Sequence, residues 1–264
     1  MKRKILLTLI FLIFIAGAVF TGYQIIRITG QYRISNQLYA QLQSYAVVPD
    51  TAGSGKTTEP EETEETAPTE ETENMTLVYP EVDFEGLLQV NKDVVAWIYI
   101  EGTNINYPVV QGTDNRHYVS ALIDGTYNDA GSIFMDYRNS RELTDPHTVL
   151  YGHNMQNGSM FHDICNYRNQ EYYEKHPVGM FVTPEKNYYF EIISGYVASL
   201  ADPSWQLEYV DEEDLMNWVE DSVARSSFVS QAEPQLGDRI ITLSTCSYEF
   251  NNARFVLVGI LKEA

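Results

Sequence analysis

Cysteine is scarce: there are two in 264 residues, Cys165 and Cys246. That is too few for a disulfide scaffold, so the chain has to hold itself together with an apolar core. Basic residues are scarce as well, 17 Lys and Arg against 37 Asp and Glu. The net charge of −20 divides into +5 over residues 1–48, −8 over residues 49–76 and −17 over residues 77–264. A domain this acidic repels a phosphate backbone, which argues against nucleic acid as a partner. Such a charge speaks for solubility and cationic neighbours, and is silent on fold. No two Cys or His residues stand at the close spacings of a zinc site, so no metal is expected. A Gly-rich phosphate loop, a GxSxG elbow and an internal repeat are all missing, and nothing in the sequence calls for a cofactor.

What is present begins with Met1-Lys2-Arg3-Lys4, a basic flank, followed by an apolar run from Ile5 to Ile26. Twenty-two residues suffice to cross a bilayer as a helix. The basic flank before the run predicts a single-pass anchor in the cell membrane, with the N-terminus in the cytoplasm and the remainder outside. Ala16-Gly17-Ala18 resembles a signal-peptidase site, so a cleaved signal peptide is the alternative. The length of the run, and the helical pattern continuing through residues 27–48 as a juxtamembrane segment, favour the uncleaved anchor. Residues 49–76 are low in complexity, rich in Thr, Glu and Pro, with almost no side chain that joins a core. Their composition predicts a disordered acidic spacer, read as a tether between anchor and domain or as a linker with no length requirement.

Globular composition starts at Leu77 and runs to the end, giving a domain over 77–264. Strands are expected at Val94–Ile100, Asn106–Gln111, Gly131–Met135, Thr148–Gly152, Gly179–Thr183 and Tyr188–Ala198. Pro108 interrupts the second of them, as at an edge or bulge. Helices are expected at Asp83–Val90, Gly158–Tyr167 and Asp211–Ala224, the last with Asp-Glu-Glu-Asp at its positive end. Two further strands close the chain, Ile240–Cys246 and Phe255–Leu261. Many short strands with few helices point to a mainly β fold, a closed barrel or a sandwich.

The final pair carries the chemistry. An apolar, β-branched run ends on Cys246, a polar loop follows, and Arg254 opens the next run. A free thiol is mostly un-ionised at neutral pH, so nucleophilic use needs a base or a neighbouring cation. Of the five histidines, His117, His147, His153, His162 and His176, the third stands out. Tyr151-Gly152-His153-Asn154 follows a strand and puts an imidazole in a polar loop that faces a cleft. Arg254 is permanently charged and cannot act as a base, but it suits an anionic intermediate or a substrate carbonyl. The bland alternatives are an inert buried cysteine, a solvated arginine, and a Cys165–Cys246 disulfide.

Thr242-Leu243-Ser244-Thr245-Cys246 resembles the TLxTC signature of the sortases, membrane-anchored cysteine transpeptidases of Gram-positive bacteria. Arg254 and His153 match that family's catalytic arginine and histidine. Similarity extends over most of residues 80–262, and Asn106-Tyr107-Pro108-Val109-Val110-Gln111, Tyr151-Gly152-His153-Asn154 and Ser247-Tyr248-Glu249-Phe250 resemble class B most. The resemblance implies a closed eight-stranded β-barrel with flanking helices, one of them in the long connection before the cysteine strand. It implies a Cys246 nucleophile, His153 as acid and then base, Arg254 as oxyanion or backbone donor, and Asn106, Tyr151 and Ser244 lining the substrate groove. For Tyr151 and Ser244 the alternative is plain strand packing. The implied partners are surface proteins with a C-terminal sorting signal of the Asn-Pro-x-Thr kind, and an amine of peptidoglycan or its lipid-linked precursor. Two rivals stand beside this reading: a cysteine hydrolase that releases peptides to water, and a non-catalytic membrane-tethered β-domain in which the two cysteines are bonded.

Overall fold

The computed structural model describes residues 2–49 and 77–264, so the expected acidic spacer lies outside the described residues. In chain order the elements are α1 (Lys2–Leu42), β1 (Ala46–Val47), β2 (Glu81–Val82), α2 (Phe84–Val90), β3 (Val94–Tyr99), β4 (Asn106–Val110), β5 (Ile133–Met135), β6 (His147–Tyr151), α3 (Gln170–Lys175), β7 (Val178–Val182), β8 (Asn187–Ser199), α4 (Glu212–Ala224), β9 (Arg239–Cys246) and β10 (Ala253–Glu263). Eight strands, β3 to β10, close into a barrel in the order β10-β8-β7-β3-β4-β5-β6-β9, with β9 and β10 paired to complete the ring.

Six of the eight neighbouring pairs are antiparallel; β4–β5 and β6–β9 are parallel. A parallel pair needs a long crossover, because the chain must return to the same end before it pairs again. The two parallel pairs therefore generate the two excursions that matter for the site. One is residues 111–132, between β4 and β5; the other takes the chain from β6 through β7 and β8 to residues 200–238, which hold α4. Pro108 sits opposite Trp97, and β5 joins β4 only from Val109, which leaves the proline outside the parallel ladder. The irregularity expected there falls on β3, between Val94 and Ala96.

Side-chain alternation explains the burial on both faces of β9 and β10. Ile241, Leu243, Phe255 and Leu257 enter the main core inside the barrel. Ile240, Val256, Val258 and Ile260 point outward, where Leu215 and Val219 of α4 cover them in a second apolar cluster. Asp211 caps α4 by accepting a hydrogen bond from the Asp214 amide, and three acidic residues fill the first turn, as the helix dipole favours. The helix expected at Gly158–Tyr167 forms as a 3-10 segment over His162–Arg168. Met160 just before it has a φ of 61°, a left-handed conformation that no helix continues through. The short helix α3 and the β1–β2 pair have no counterpart in the sequence expectations.

The apolar face of α1 from Ile5 to Phe20 is exposed, and the helix is long and apolar enough to cross a membrane by length and composition. Beyond it, residues 27–48 do not stand apart from the barrel. Arg27 pairs with Asp129 at 3.2 Å, the Gln31 carbonyl accepts from Asn128, and the Tyr39 hydroxyl donates to the Gly131 carbonyl at 2.7 Å. Tyr39, Leu42 and Ala46 are buried in the main core. Ala46 then pairs with Val82, so β1 lies antiparallel to β2.

Candidate active site

The alternation that sends Ile240 outward also sends Ser244 and Cys246 outward. The thiol therefore sits on the outer wall of the barrel, at the open end of β9, and not in the core. Arg254 is the direct partner of Cys246 across the β9–β10 ladder, where opposed side chains stand about 5 Å apart at Cβ. Its guanidinium donates to the Ala253 carbonyl at 2.9 Å and, among the described residues, forms no ion pair. Several N–H donors are left to face the cleft.

β6 runs parallel to β9 with Tyr151 opposite Ser244, so the residues after both strands leave the barrel side by side. That delivers His153, two positions beyond Tyr151, to the same cleft as Cys246, where each group shifts the titration of the other. The His153 Nε2 is fixed by the Val119 carbonyl at 2.7 Å. A carbonyl only accepts, so Nε2 carries a proton, and in the neutral ring Nδ1 is the free acceptor for the thiol. His153 pulls the Cys246 thiol below its usual range; burial opposes this, and Arg254 adds to the lowering. Cys246 in turn raises the His153 imidazole against burial, helped by the Val119 carbonyl and Asp129. The two shifts are complementary: each group favours the charged form of the other.

A cleft of about 400 Å³ opens over these groups. Its walls come from both crossovers: Asn115 and Val119 from the first, Leu200 and Trp205 from the second. Tyr151, Ser244 and Thr245 form the floor.

The Sortase domain family matches residues 98–262, which is most of the barrel and all three polar groups just described. The chain belongs to the sortase family. Sortase B of Staphylococcus aureus (strain NCTC 8325 / PS 47) is 34% identical over 178 residues, covering 67% of this chain and 73% of that protein. Among solved structures, a Staphylococcus aureus sortase B–substrate complex is 33% identical with a TM-score of 0.66, covering 69% of this chain and 85% of that one. Sortase B from B. anthracis in complex with AAEK1 is 26% identical with a TM-score of 0.71, covering 90% and 100%. The closed eight-stranded barrel with flanking helices is the fold of those sortase B structures, and the chain is a sortase B-type cysteine transpeptidase.

This sortase gathers five of the six residues singled out from its sequence around one cleft. Tyr151 lines it, with its hydroxyl held by Asp136 at 3.0 Å. Asp136 is a buried hub: burial pushes its carboxyl up, but the Arg138 fork, Asn115 and Tyr151 outweigh that and hold it low. Ser244 accepts from the Trp205 indole at 2.9 Å, tying the second crossover to the floor. Asn106 is the exception: it does not line this cleft. It begins β4, three strands round the barrel from β9, roughly 14 Å at the usual strand spacing. Its carboxamide oxygen takes the Trp97 indole proton at 2.7 Å, and it borders a separate hollow.

Asn115, Val119, Leu200 and Trp205 were missed from sequence. They lie on irregular crossovers where periodicity carries no signal, and the Val119 contribution is a main-chain carbonyl. Asp163, near His153 in sequence, accepts the Asn104 amide instead of serving the imidazole. The cysteines are both free. Cys165 is buried, its thiol pushed up to about 11 by desolvation, and its Sγ lies 4.0 Å from the Cys246 carbonyl. The bonded-cysteine alternative is not the arrangement found.

Proposed function

We propose that this sortase cleaves a sorting signal near the C-terminus of a surface protein and joins the new carboxyl to an amine of peptidoglycan or its lipid-linked precursor. The observation that carries the proposal is the meeting of Cys246, His153 and Arg254 on one cleft, with Arg254 opposite the thiol across the β9–β10 ladder. The Cys246 thiolate attacks the carbonyl carbon of the signal's threonine, and the carbonyl electrons move onto oxygen. Arg254 donates to that oxyanion with a fixed, planar set of N–H groups. As the C–N bond breaks, the His153 imidazolium gives its proton to the leaving amine, and a thioester remains on Cys246. The acceptor amine then attacks the thioester and passes its proton to His153; the thiolate leaves and the starting pair is restored.

The Staphylococcus aureus sortase B that shares 33% of its residues has been captured with substrate. Together with the cleft, that likeness supports a peptide of the Asn-Pro-x-Thr kind as donor. The basic residues that open α1, ahead of its apolar run, support an N-terminus in the cytoplasm and a barrel outside the cell membrane. The test is product analysis with an Asn-Pro-x-Thr-containing peptide, with and without an added amine. Amide formation that depends on the amine, and that disappears in Cys246→Ala, is expected. Free acid as the product under both conditions would make the chain a hydrolase and overturn the transfer step.

A further inference from the structure

The hollow that Asn106 borders has a lining unlike the catalytic cleft. It measures about 250 Å³ and lies on the same rim of the barrel. Tyr99, Asn104 and Asn106 come from the β3–β4 hairpin, Gln43 from the residue after α1, and Asn157 and Ser159 from the loop that starts at His153. No charged side chain borders it, in a domain that carries seventeen excess negative charges. Ionic ligands are thereby disfavoured. Three of the carboxamides have unused capacity among the described residues. The Asn106 oxygen is taken by Trp97, but its amide nitrogen has no partner; the side chains of Asn104 and Gln43 have none at either end.

Carboxamides offer a donor and an acceptor side by side, which matches vicinal hydroxyls and N-acetyl groups, and a tyrosine face matches the apolar face of a pyranose ring. The volume falls just under the range of drug-sized sites, a fit for one or two sugar rings. We propose that this hollow binds the amino-sugar portion of the acceptor. The proposal rests on the transfer reading above and names where the acceptor's saccharide sits. The spacing is consistent: roughly 14 Å round the rim is bridged by four or five extended residues of a peptide linking sugar to amine. The loop 153–161 joins the two places. Its base is held by the hydrogen bond from the Phe161 amide to the His153 carbonyl at 2.9 Å, and its tip forms one wall of the hollow.

The probe is an amine-free disaccharide of N-acetylglucosamine and N-acetylmuramic acid with its lactyl carboxyl capped as the methyl amide, so that it is uncharged, titrated into the full-length protein in detergent by ligand-observed NMR. The double variant Gln43→Ala/Asn104→Ala alters two exposed side chains that bond to nothing, so the fold is not at stake. Saturation transfer to the wild type and its loss in the variant support the site; no transfer, or equal transfer to both proteins, overturns it. A second arm compares KM for a peptide amine with KM for the same peptide attached to the disaccharide. The sugar should lower KM about ten-fold in the wild type, and the ratio should fall toward one in the variant. A ratio near one in the wild type rejects the proposal. Donor cleavage without any amide product is a different failure: it removes the transfer reading, while the NMR arm still reports on the hollow. Longer glycan oligomers in the same titration separate polymerised wall from single precursor units as the source of the sugar.

Discussion

At the scale of one residue, the coupling between Cys246 and His153 is what the site's behaviour turns on. Because the imidazole holds the thiol below its usual range, alkylation of Cys246 by iodoacetamide should proceed at neutral pH and fall off only in acid. In His153→Ala the reactivity should move toward the ordinary thiol range near pH 8.5, and a profile identical to the wild type would refute the pairing. Cys165 should stay unmodified in the native protein, since burial pushes it the other way. Arg254→Lys keeps the charge but loses the planar fork; a loss of about ten-fold or more in kcat/KM is expected, with binding of the donor peptide less affected. Full activity in that variant would mean the charge alone suffices. At this scale the sequence was eloquent about side chains and mute about the main chain. Cys246 and Arg254 could be read because a strand that alternates apolar residues and ends on a thiol fixes where that thiol points. His153 stood out by its glycine and polar neighbours. The carbonyl that orients it, from Val119, has no signature, since any residue at that position supplies one.

At the scale of elements, a second histidine shows how a strand and a crossover are fastened together. His147 at the start of β6 is fully buried on the outer wall, bonded through Nδ1 to the Gln206 carbonyl and the Tyr209 hydroxyl and through Nε2 to Thr242, with Trp218 of α4 packed 4.7 Å away. Burial lowers its pKa to about 4. The folded value lies below the unfolded value of about 6.5, so the unfolded chain takes the proton first. Stability is therefore complete above pH 6.5 and is lost as pH falls toward 4, by about 3 kcal/mol in all. Urea titrations at pH 7 and pH 4.5 should show the difference, and His147→Gln should remove this part of it. Gly152 marks the other joint. A Cβ there would meet Ile133 Cδ1 at 2.4 Å and Phe161 Cδ2 at 2.7 Å, so Gly152→Ala should cost about 1–3 kcal/mol in denaturant midpoint and displace the imidazole that follows it. A fully active, equally stable alanine variant would mean the joint has slack. The strands themselves were legible because alternation is a local property. The walls of the cleft were not, because Leu200 and Trp205 lie on a crossover whose course is set by α4 packing chiefly on β8. Asn106 misled for a related reason: strand position shows which rim a residue reaches, and closure of the barrel decides how far round that rim it stands.

The whole molecule is organised more tightly around its anchor than composition suggests. Residues 27–48 read as a juxtamembrane helical segment, yet Tyr39, Leu42 and Ala46 join the main apolar core. A chain beginning at Leu77 should therefore be less stable than one beginning at Arg27 by at least about 3 kcal/mol, the order of one lost buried leucine, and urea unfolding of the two side by side would show it. Equal midpoints would mean that α1 merely rests on the surface. Helical periodicity in this stretch was visible in the sequence; that its apolar residues belong to the barrel was not, because the partner surface is built from Gly131, Ser132 and other residues about ninety positions away. The β1–β2 pair has a mechanical meaning. Val47 pairs with Glu81, so the described chain before residue 50 and after residue 76 is joined strand to strand. Doubling the number of residues between the two strands would therefore cost only about 0.6 kcal/mol of loop-closure entropy. A pull applied at Cys246 would reach α1 through the barrel and the buried contacts of Tyr39, Leu42 and Ala46.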